Sequence, residues 1–477
     1  MKLKALLKGV KGVVKGSKDI EISGISADSR MTAPGNLFIA KKGTASDGTE
    51  FIPKALDAGA VAIVTDMYDP FLKIPQLIVD RPGDLEAKLA SLFYGTPSKD
   101  LLVVGVTGTK GKTTTSYMTH HLMKGLLGEA GLASTVETVI GPERRNSTLT
   151  THSAIQNQKI LREMLMAGCK GAVVEVSSHG LDQGRVDEIE FDIGIFTNLY
   201  PDHLDYHKDI DDYAAAKKKL FSRKKDRDIL NADSPWAEFM KGSNPTWTFG
   251  IEKPADITAT DVSFNANGTT FNVNFNGVTE PFYISLIGKF NVYNALGTIG
   301  VGLQMGATLS QIANILKTFK SAPGRLEQVP SDKGIWVFVD FAHSGPALEN
   351  VLLTLKEVAQ KKVICVFGCG GNRDPLRRTQ TAAAAEKYAD ISIITSDNPR
   401  KEDPQTICNE ILSGFVDPSK TEVLVDRTEA IARAIALAEK DDIVLIAGKG
   451  HEKVQIFAHH TISYDDVVVA KEYLQKA

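Results

Sequence analysis

The run Gly105-Val106-Thr107-Gly108-Thr109-Lys110-Gly111-Lys112-Thr113-Thr114 carries the clearest chemistry in the chain. From Gly105 to Thr113 it is read as fitting the phosphate-loop pattern G-x-x-x-x-G-K-[ST]. Its glycines let backbone N–H groups turn inward around phosphate oxygens. Lys112 brings a positive charge to the β- and γ-phosphates, and the Thr113 hydroxyl can ligate magnesium. A helix beginning at the loop adds its N-terminal dipole. Such a loop specifies a nucleotide, not a reaction. Glu175 ends an apolar run at the carboxyl side of an expected strand, where open α/β sheets bind ligands, and with Thr113 it could hold one magnesium. His203 lies in the acidic, aromatic run Asp202-His-Leu-Asp-Tyr-His207. By itself that histidine reads more readily as a structural hydrogen-bonder than as a ligand. Lys217, inside Lys217-Lys218-Lys219, reads by itself as part of a solvated helix face.

These residues need a scaffold, and the hydrophobic pattern supplies one. Leu101–Val106, Gly171–Val176 and Ile193–Thr197 are continuous apolar runs, and a helical pattern extends from Lys112 to about Leu127. Strands alternating with helices predict a mostly parallel sheet covered on both faces. Phe271 to Phe275 alternates with period two before Asn276-Gly277, a strong hairpin signal. Upstream, Leu37–Ala40, Val61–Val64 and Gln76–Val79 are short strand-like runs between turn residues. Downstream, Ile335–Val339, Val363–Phe367, Ile391–Thr395, Thr421–Val425 and Asp442–Ala447 alternate with helical patterns.

The expected fold class is therefore α/β with three domains. A small α/β domain spans 1–97. A central P-loop ATPase-like domain with a mostly parallel sheet spans 98–327. A Rossmann-like α/β domain spans 328–477. At 477 residues the chain exceeds what one hydrophobic core usually holds. A net charge of −3 gives no global basic field that would recommend nucleic acid. No stretch of about 18 apolar residues suggests a membrane span. The four cysteines, Cys169, Cys365, Cys369 and Cys408, lack a second pair at zinc spacing and read as reduced structural thiols, which points to the cytoplasm.

Several blocks in fixed order carry a resemblance. GVTGTKGKTTT (Gly105–Thr115) is followed by EVSSHGLDQGR (Glu175–Arg185), TNLYPDHLDYH (Thr197–His207), AAKKKLF (Ala215–Phe221) and GKFNVYNAL (Gly288–Leu296). Then come APGRLE (Ala322–Glu327), FGCGGNRD (Phe367–Asp374), SDNPR (Ser396–Arg400) and AGKGHE (Ala447–Glu452), with ADSRMTAPGNLFIA (Ala27–Ala40) at the N-terminal side. Together they resemble the Mur ligases, and within that family the members that add the third peptide residue. The resemblance implies ATP as co-substrate and an acyl phosphate that an incoming amine attacks. It implies two magnesium ions, held by Thr113, Glu175, His203 and Lys217, the last carboxylated by CO₂ to N6-carboxylysine. Lys112, Glu175, His203 and Lys217 are then the catalytic set. Asn291, Asn294, Arg325, Asp340 and His343 join the loop as ATP contacts. ATP is expected between the second and third domains.

The resemblance also implies UDP-N-acetylmuramoyl-L-alanyl-D-glutamate as acceptor. Its contacts would be Ser29, Thr44, Ala45, Ser46, Thr150, Thr151, Ser177, Gln183 and Arg185. meso-Diaminopimelate would be the incoming amine, contacted by Arg373, Asp397, Asn398, Pro399, Arg400, Gly448 and Glu452. Diaminopimelate exceeds lysine by one distal carboxylate, which the Arg400 guanidinium can meet bidentately. Opposite lysine the same arginine would be left unpaired. Lys110, His152, Asn372 and Ser344-Gly345-Pro346 depart from the family's usual residues. The implied protein is a monomeric cytoplasmic enzyme of peptidoglycan precursor synthesis, with small-molecule substrates and neither nucleic acid nor membrane as partner. An L-lysine-adding or other Mur- or folylpolyglutamate-type ligase is the competing enzyme reading, and Arg400 argues against it. An inactive nucleotide-binding regulator is the competing reading of another class. The intact Lys112, Glu175, His203 and Lys217 argue against that one.

Overall fold

A computed structural model describes residues 1–43 and 47–476. The chain forms two compact units, Met1–Phe249 and Gly250–Ala477. Both are α/β, as the alternation of runs predicts.

The first unit opens with a five-stranded sheet in the order Val13–Lys15, Gln76–Ile78, Ala62–Thr65, Asn36–Ile39, Gly24–Ser26. The last four strands run parallel and Val13–Lys15 runs antiparallel at the edge. The expected apolar runs form its centre, with Leu37, Ile39, Val64 and Leu77 in the core.

The strand Leu102–Thr107 stands at the centre of the second sheet of this unit. Gly171–Glu175 and then Ala130–Ala133 lie on one side, and Ile193–Phe196, Arg227–Asn231 and Thr246–Gly250 on the other, all parallel. Two short antiparallel strands, Glu137–Ile140 and Glu143–Asn146, extend the Ala130 side. Val103 to Thr107 are fully buried, because helices cover both faces; this is why the run is continuous rather than alternating. After Leu102–Thr107 the chain moves outward through helix Lys112–Leu127, returns to Gly171–Glu175, and then crosses to the opposite side. The strand order thus reverses around Leu102–Thr107. Loops leaving the carboxyl ends of strands on either side of such a switch point diverge and open a crevice between them.

In the second unit, Ile257–Asn265, Gly268–Phe275 and Val278–Ile284 form an antiparallel meander. Asn276 and Gly277 take φ of 49° and 80° at the expected hairpin, the left-handed pair that a two-residue turn of type I′ requires. A six-stranded sheet follows in the order Glu327–Val329, Trp336–Asp340, Ile443–Ala447, Val363–Phe367, Ile391–Ile394, Thr421–Val423, parallel except for its first strand. Phe338, Cys365, Phe367 and Leu445 face one core, and Val337, Val339, Ile364 and Val444 the other. Alternate side chains of one strand therefore bury on opposite sides, the mark of a doubly covered sheet. All four cysteines are buried and free. Among the described residues no helix is long and apolar enough to cross a membrane.

Candidate active site

The phosphate loop sits on the carboxyl end of the central strand. Five residues, one more than G-x-x-x-x-G-K-[ST] allows, separate Gly105 from Gly111. Gly105 lies inside the strand, where a Cβ would come within 2.8 Å of the Phe191 ring; it permits packing. The turn itself belongs to Gly108 and Gly111. Gly108 takes φ 149°, and a Cβ there would fall 1.9 Å from Thr197 Oγ1. Gly111 takes φ 84° and caps helix Lys112–Leu127. The loop is held from the segment after Ile193–Phe196. Asn198 O accepts from Thr109 N at 2.9 Å, Asn198 Oδ1 accepts from Lys110 N at 2.9 Å, and Thr197 Oγ1 donates to Lys110 O at 2.7 Å. Lys112 Nζ curls back over the loop, donating to Gly108 O at 3.0 Å and Thr109 O at 3.1 Å.

Glu175 ends the neighbouring strand with no exposed surface. Its Oε2 accepts from Thr113 Oγ1 at 3.2 Å and from Thr135 Oγ1 at 2.9 Å, and its Oε1 accepts from Thr135 N at 3.2 Å. Thr135 was not singled out from the sequence. Its only signal is its place just beyond strand Ala130–Ala133, a third carboxyl end on the same side of the switch. One buried carboxylate ringed by hydroxyls is a hard-oxygen set that suits magnesium. Among the described residues no group of three His, Cys, Asp or Glu side chains is arranged to hold a metal unaided. Magnesium needs none, since it keeps several waters and binds through one or two carboxylates and substrate phosphates.

On the other side of the loop, Asp209 caps helix Ile210–Phe221 by accepting from Asp212 N at 2.8 Å. That cap phases the helix so that Tyr213, Ala216, Lys217 and Leu220 face inward. Lys217 is 1% exposed, whereas Lys219 is exposed. The solvated-face reading thus fails for Lys217 alone. Its Nζ donates to Gly108 O at 2.9 Å and lies 4.4 Å from the centre of the Tyr213 ring. Burial, and then the charge of Lys112, push its pKa well below the usual lysine value against the pull of Asp202. His203 adopts a left-handed φ of 56°, an uncommon conformation for a non-glycine residue. Its backbone N–H donates to Asp202 Oδ1 at 3.0 Å. Burial lowers its pKa; Asp202 opposes this, and Lys112 and Lys217 add to it. The shift favours the neutral imidazole, the form that can ligate a metal. Lys110, 3.6 Å from Asp202, is among the cations that hold that carboxyl below its usual range despite burial.

The expected dipeptide contacts lie beside Glu175. Thr150 Oγ1 lies within hydrogen-bond distance of Thr135 Oγ1, at 3.1 Å. Thr151 Oγ1 donates to Glu175 O at 2.9 Å and accepts from Ser177 N at 2.9 Å. Arg185 Nη1 donates to Thr151 O at 2.9 Å, and Arg185 Nη2 donates to Gln183 Oε1 at 2.6 Å. The structure thus joins Thr150, Thr151, Ser177, Gln183 and Arg185 in one network. Ser29 opens the short turn Ser29–Met31; among the described residues no hydrogen bond ties it to that network. Thr44, Ala45 and Ser46 lie outside the described residues.

In the second unit, Asn291 and Asn294 are buried on helix Lys289–Gln304. Asn294 Nδ2 donates to Asn291 Oδ1 at 3.0 Å. Asp340 ends its strand and accepts from Leu326 N at 2.7 Å and Ala342 N at 2.8 Å. Burial raises its pKa against the nearby Arg325. Arg325 lies 4.8 Å from the centre of the Phe341 ring, and the His343 ring lies 4.6 Å from the same ring. These three therefore share one corner.

A second cluster surrounds the Asp397–Arg400 turn. Asn398 Nδ2 donates to Glu452 Oε2 at 2.7 Å. Arg400, at φ 53°, donates from Nη1 to Gly371 O at 2.8 Å. Gly448 takes φ 112°, and a Cβ there would lie 2.7 Å from Asp397 Oδ2. Pro399 sits between these contacts, and Arg373 is exposed. Lys449, not singled out from the sequence, joins this cluster from below. Buried Arg427, paired with Asp466 at 2.7 Å, also donates to Ala447 O at 2.9 Å and Ser396 O at 3.4 Å. It thereby fixes the two backbone ends from which the cluster's loops leave.

Three family models match in sequence order. They are the Mur ligase family catalytic domain over residues 21–91, the Mur ligase middle domain over 106–302, and the Mur ligase glutamate ligase domain over 324–450. The chain belongs to the Mur ligase family and is an ATP-dependent ligase. It is 41% identical over 462 residues to the UDP-N-acetylmuramoyl-L-alanyl-D-glutamate–2,6-diaminopimelate ligase of Chlamydia felis (strain Fe/C-56), covering 95% of each chain. It is 41% identical over 489 residues to the ligase of the same name from Clostridioides difficile (strain 630), covering 100% of each. A solved structure of a ligase of that name superposes with a TM-score of 0.72 at 31% identity, covering 95% of each chain.

Proposed function

We propose that this chain joins meso-diaminopimelate to UDP-N-acetylmuramoyl-L-alanyl-D-glutamate, at the expense of ATP, in peptidoglycan precursor synthesis. The observation that carries the reading is the convergence of Lys112, Thr113, Glu175 and Lys217 on one phosphate loop beside the Thr150–Arg185 network. The full-length likeness to two ligases named for that reaction supports it.

In the first step a carboxylate oxygen of the dipeptide attacks the γ-phosphorus. The bond to ADP breaks and an acyl phosphate forms. The amine of diaminopimelate then attacks the acyl carbon, loses a proton, and expels inorganic phosphate. Negative charge gathers on crowded oxygens in both steps, so cations already in place lower the barrier. Lys112 and the loop N–H groups hold the polyphosphate. Glu175 and Thr113 would hold one magnesium, and His203 with Lys217 would hold a second. The metal, when bound, supplies Lewis-acid charge neutralisation. A lysine kept neutral by burial can take up CO₂, forming an N–C bond and releasing a proton, which turns a cation into an oxygen ligand. Arg185 suits an anionic group of the UDP-muramoyl substrate. Asn291, Asn294, Arg325, Asp340 and His343 are read as ATP contacts. Asp397 to Arg400, with Arg373, Gly448 and Glu452, are read as amino-acid contacts. We read the protein as a cytoplasmic monomer of three domains, 1–97, 98–327 and 328–477.

Incubation with ATP, UDP-muramoyl dipeptide and an equimolar mixture of diaminopimelate and lysine tests the reading. A product mass of dipeptide plus diaminopimelate less water is expected. A lysine product would favour the competing ligase reading. ATP binding with no product would favour an inactive regulator.

A further inference from the structure

We propose that Lys449 is a positioning residue for the incoming amino acid. It acts through Asn398 and Glu452 and favours a substrate whose far end carries both an ammonium and a carboxylate. The inference rests on the reading of the Asp397–Glu452 cluster as the amino-acid site.

Lys449 follows strand Ile443–Ala447, between two glycines at φ 112° and 52°. Those left-handed turns aim its side chain inward, and the residue has no exposed surface. Its Nζ donates to Asn398 Oδ1 at 3.0 Å and lies 3.2 Å from Glu452 Oε2. Asn398 Oδ1 also accepts from Ile456 N at 3.0 Å. An ammonium can only donate, so the asparagine must present its oxygen to the lysine. That fixes the amide flip and leaves Nδ2 to bind Glu452 Oε2 at 2.7 Å. Both donors fall on one carboxylate oxygen. Among the described residues no hydrogen bond reaches Glu452 Oε1, which stays available as an acceptor. A buried lysine is an expensive way to orient one side chain, because its charge must be desolvated. Here it does two things. It locks the asparagine and glutamate in one arrangement, and it offsets the glutamate's charge. With the glutamate offset, Arg400 leaves the cluster's far end poor at attracting a bare ammonium, such as the lysine side chain. A zwitterionic end supplies a carboxylate for Arg400 together with an ammonium for Glu452.

The test uses full-length Lys449→Met, Glu452→Gln, Lys449→Met/Glu452→Gln and Arg400→Ala. The readouts are KM for diaminopimelate and for ATP, kcat, Tm, and the diaminopimelate-to-lysine ratio of kcat/KM. Lys449→Met is expected to raise KM for diaminopimelate by about tenfold or more, as loss of a hydrogen bond to a charged group does. It should lower the diaminopimelate-to-lysine ratio in step and leave KM for ATP unchanged. The double variant should be no worse than Glu452→Gln alone, because the lysine acts through the glutamate. If Arg400→Ala raises KM for diaminopimelate and Lys449→Met does not, the inference is overturned and the site reading stands. If neither variant moves that KM, the site reading fails and takes the inference with it. If Lys449→Met shifts every constant together with Tm, the lysine is merely structural. If Lys449→Met does not fold, the double variant, free of both charges, decides; full additivity or unchanged selectivity there refutes the proposal.

Discussion

Arg400→Ala should remove most of the enzyme's preference for diaminopimelate without disturbing its fold. The guanidinium has five N–H donors, and Nη1 is spent on Gly371 O at 2.8 Å. The rest of the fork can meet a carboxylate with two charge-assisted bonds, each worth about 1.5–3 kcal/mol. Their loss, about 3–6 kcal/mol together, corresponds to roughly 10²–10⁴ in kcat/KM. The left-handed φ of 53° strains arginine and alanine alike, since both carry a Cβ, so backbone strain cancels in the comparison. Lysine lacks the distal carboxylate, and its kcat/KM should fall far less. Phosphate release followed with each amino acid in turn measures both values. An equal loss for the two substrates, or a loss below about threefold for diaminopimelate, would refute the assignment of Arg400.

Two further outcomes follow from buried cations and imidazoles. Native protein in ¹³C-bicarbonate should show a carbamate carbon signal that disappears in Lys217→Met; a signal indifferent to that substitution would dismiss carboxylation at Lys217. Burial, opposed by Ala130 O, lowers the His120 pKa to about 4 from 6.5. Because the folded value lies below the unfolded one, the neutral form is favoured. The stabilisation is fully present above pH 6.5 and is lost as pH falls through about 4. Urea unfolding of wild type and His120→Gln should therefore differ in slope by up to about 1.4 kcal/mol per pH unit inside that window and not above it. Parallel curves throughout would contradict a buried neutral histidine.

The parallel sheets were legible because strands covered on both faces read as unbroken apolar runs, and each expected run around the loop coincides with a strand. Side-chain direction was less legible. Three adjacent lysines look equivalent by composition, and only the phase set by the Asp209 cap separates Lys217 from Lys218 and Lys219. The spacing from Tyr213 to Lys217 to Leu220 held that signal, since residues four and three apart share a helix face. Thr135 and Lys449 were illegible for another reason. Their importance comes from strand ends that adjoin in space through topology, not through sequence spacing. Gly105 erred the opposite way: a glycine in a motif invites a turn, yet this one makes room for Phe191 inside a strand.

The proposed reaction passes a phosphoryl group from ATP to a carboxylate at the Lys112 loop before any amide forms. The direct measurement starts from UDP-muramoyl dipeptide with ¹⁸O in both glutamate carboxyl groups, turned over with ATP and diaminopimelate. Attack by that carboxylate on phosphorus, then expulsion of phosphate by the amine, leaves one ¹⁸O in each released phosphate. Inorganic phosphate without the label, while tripeptide accumulates, would contradict the account.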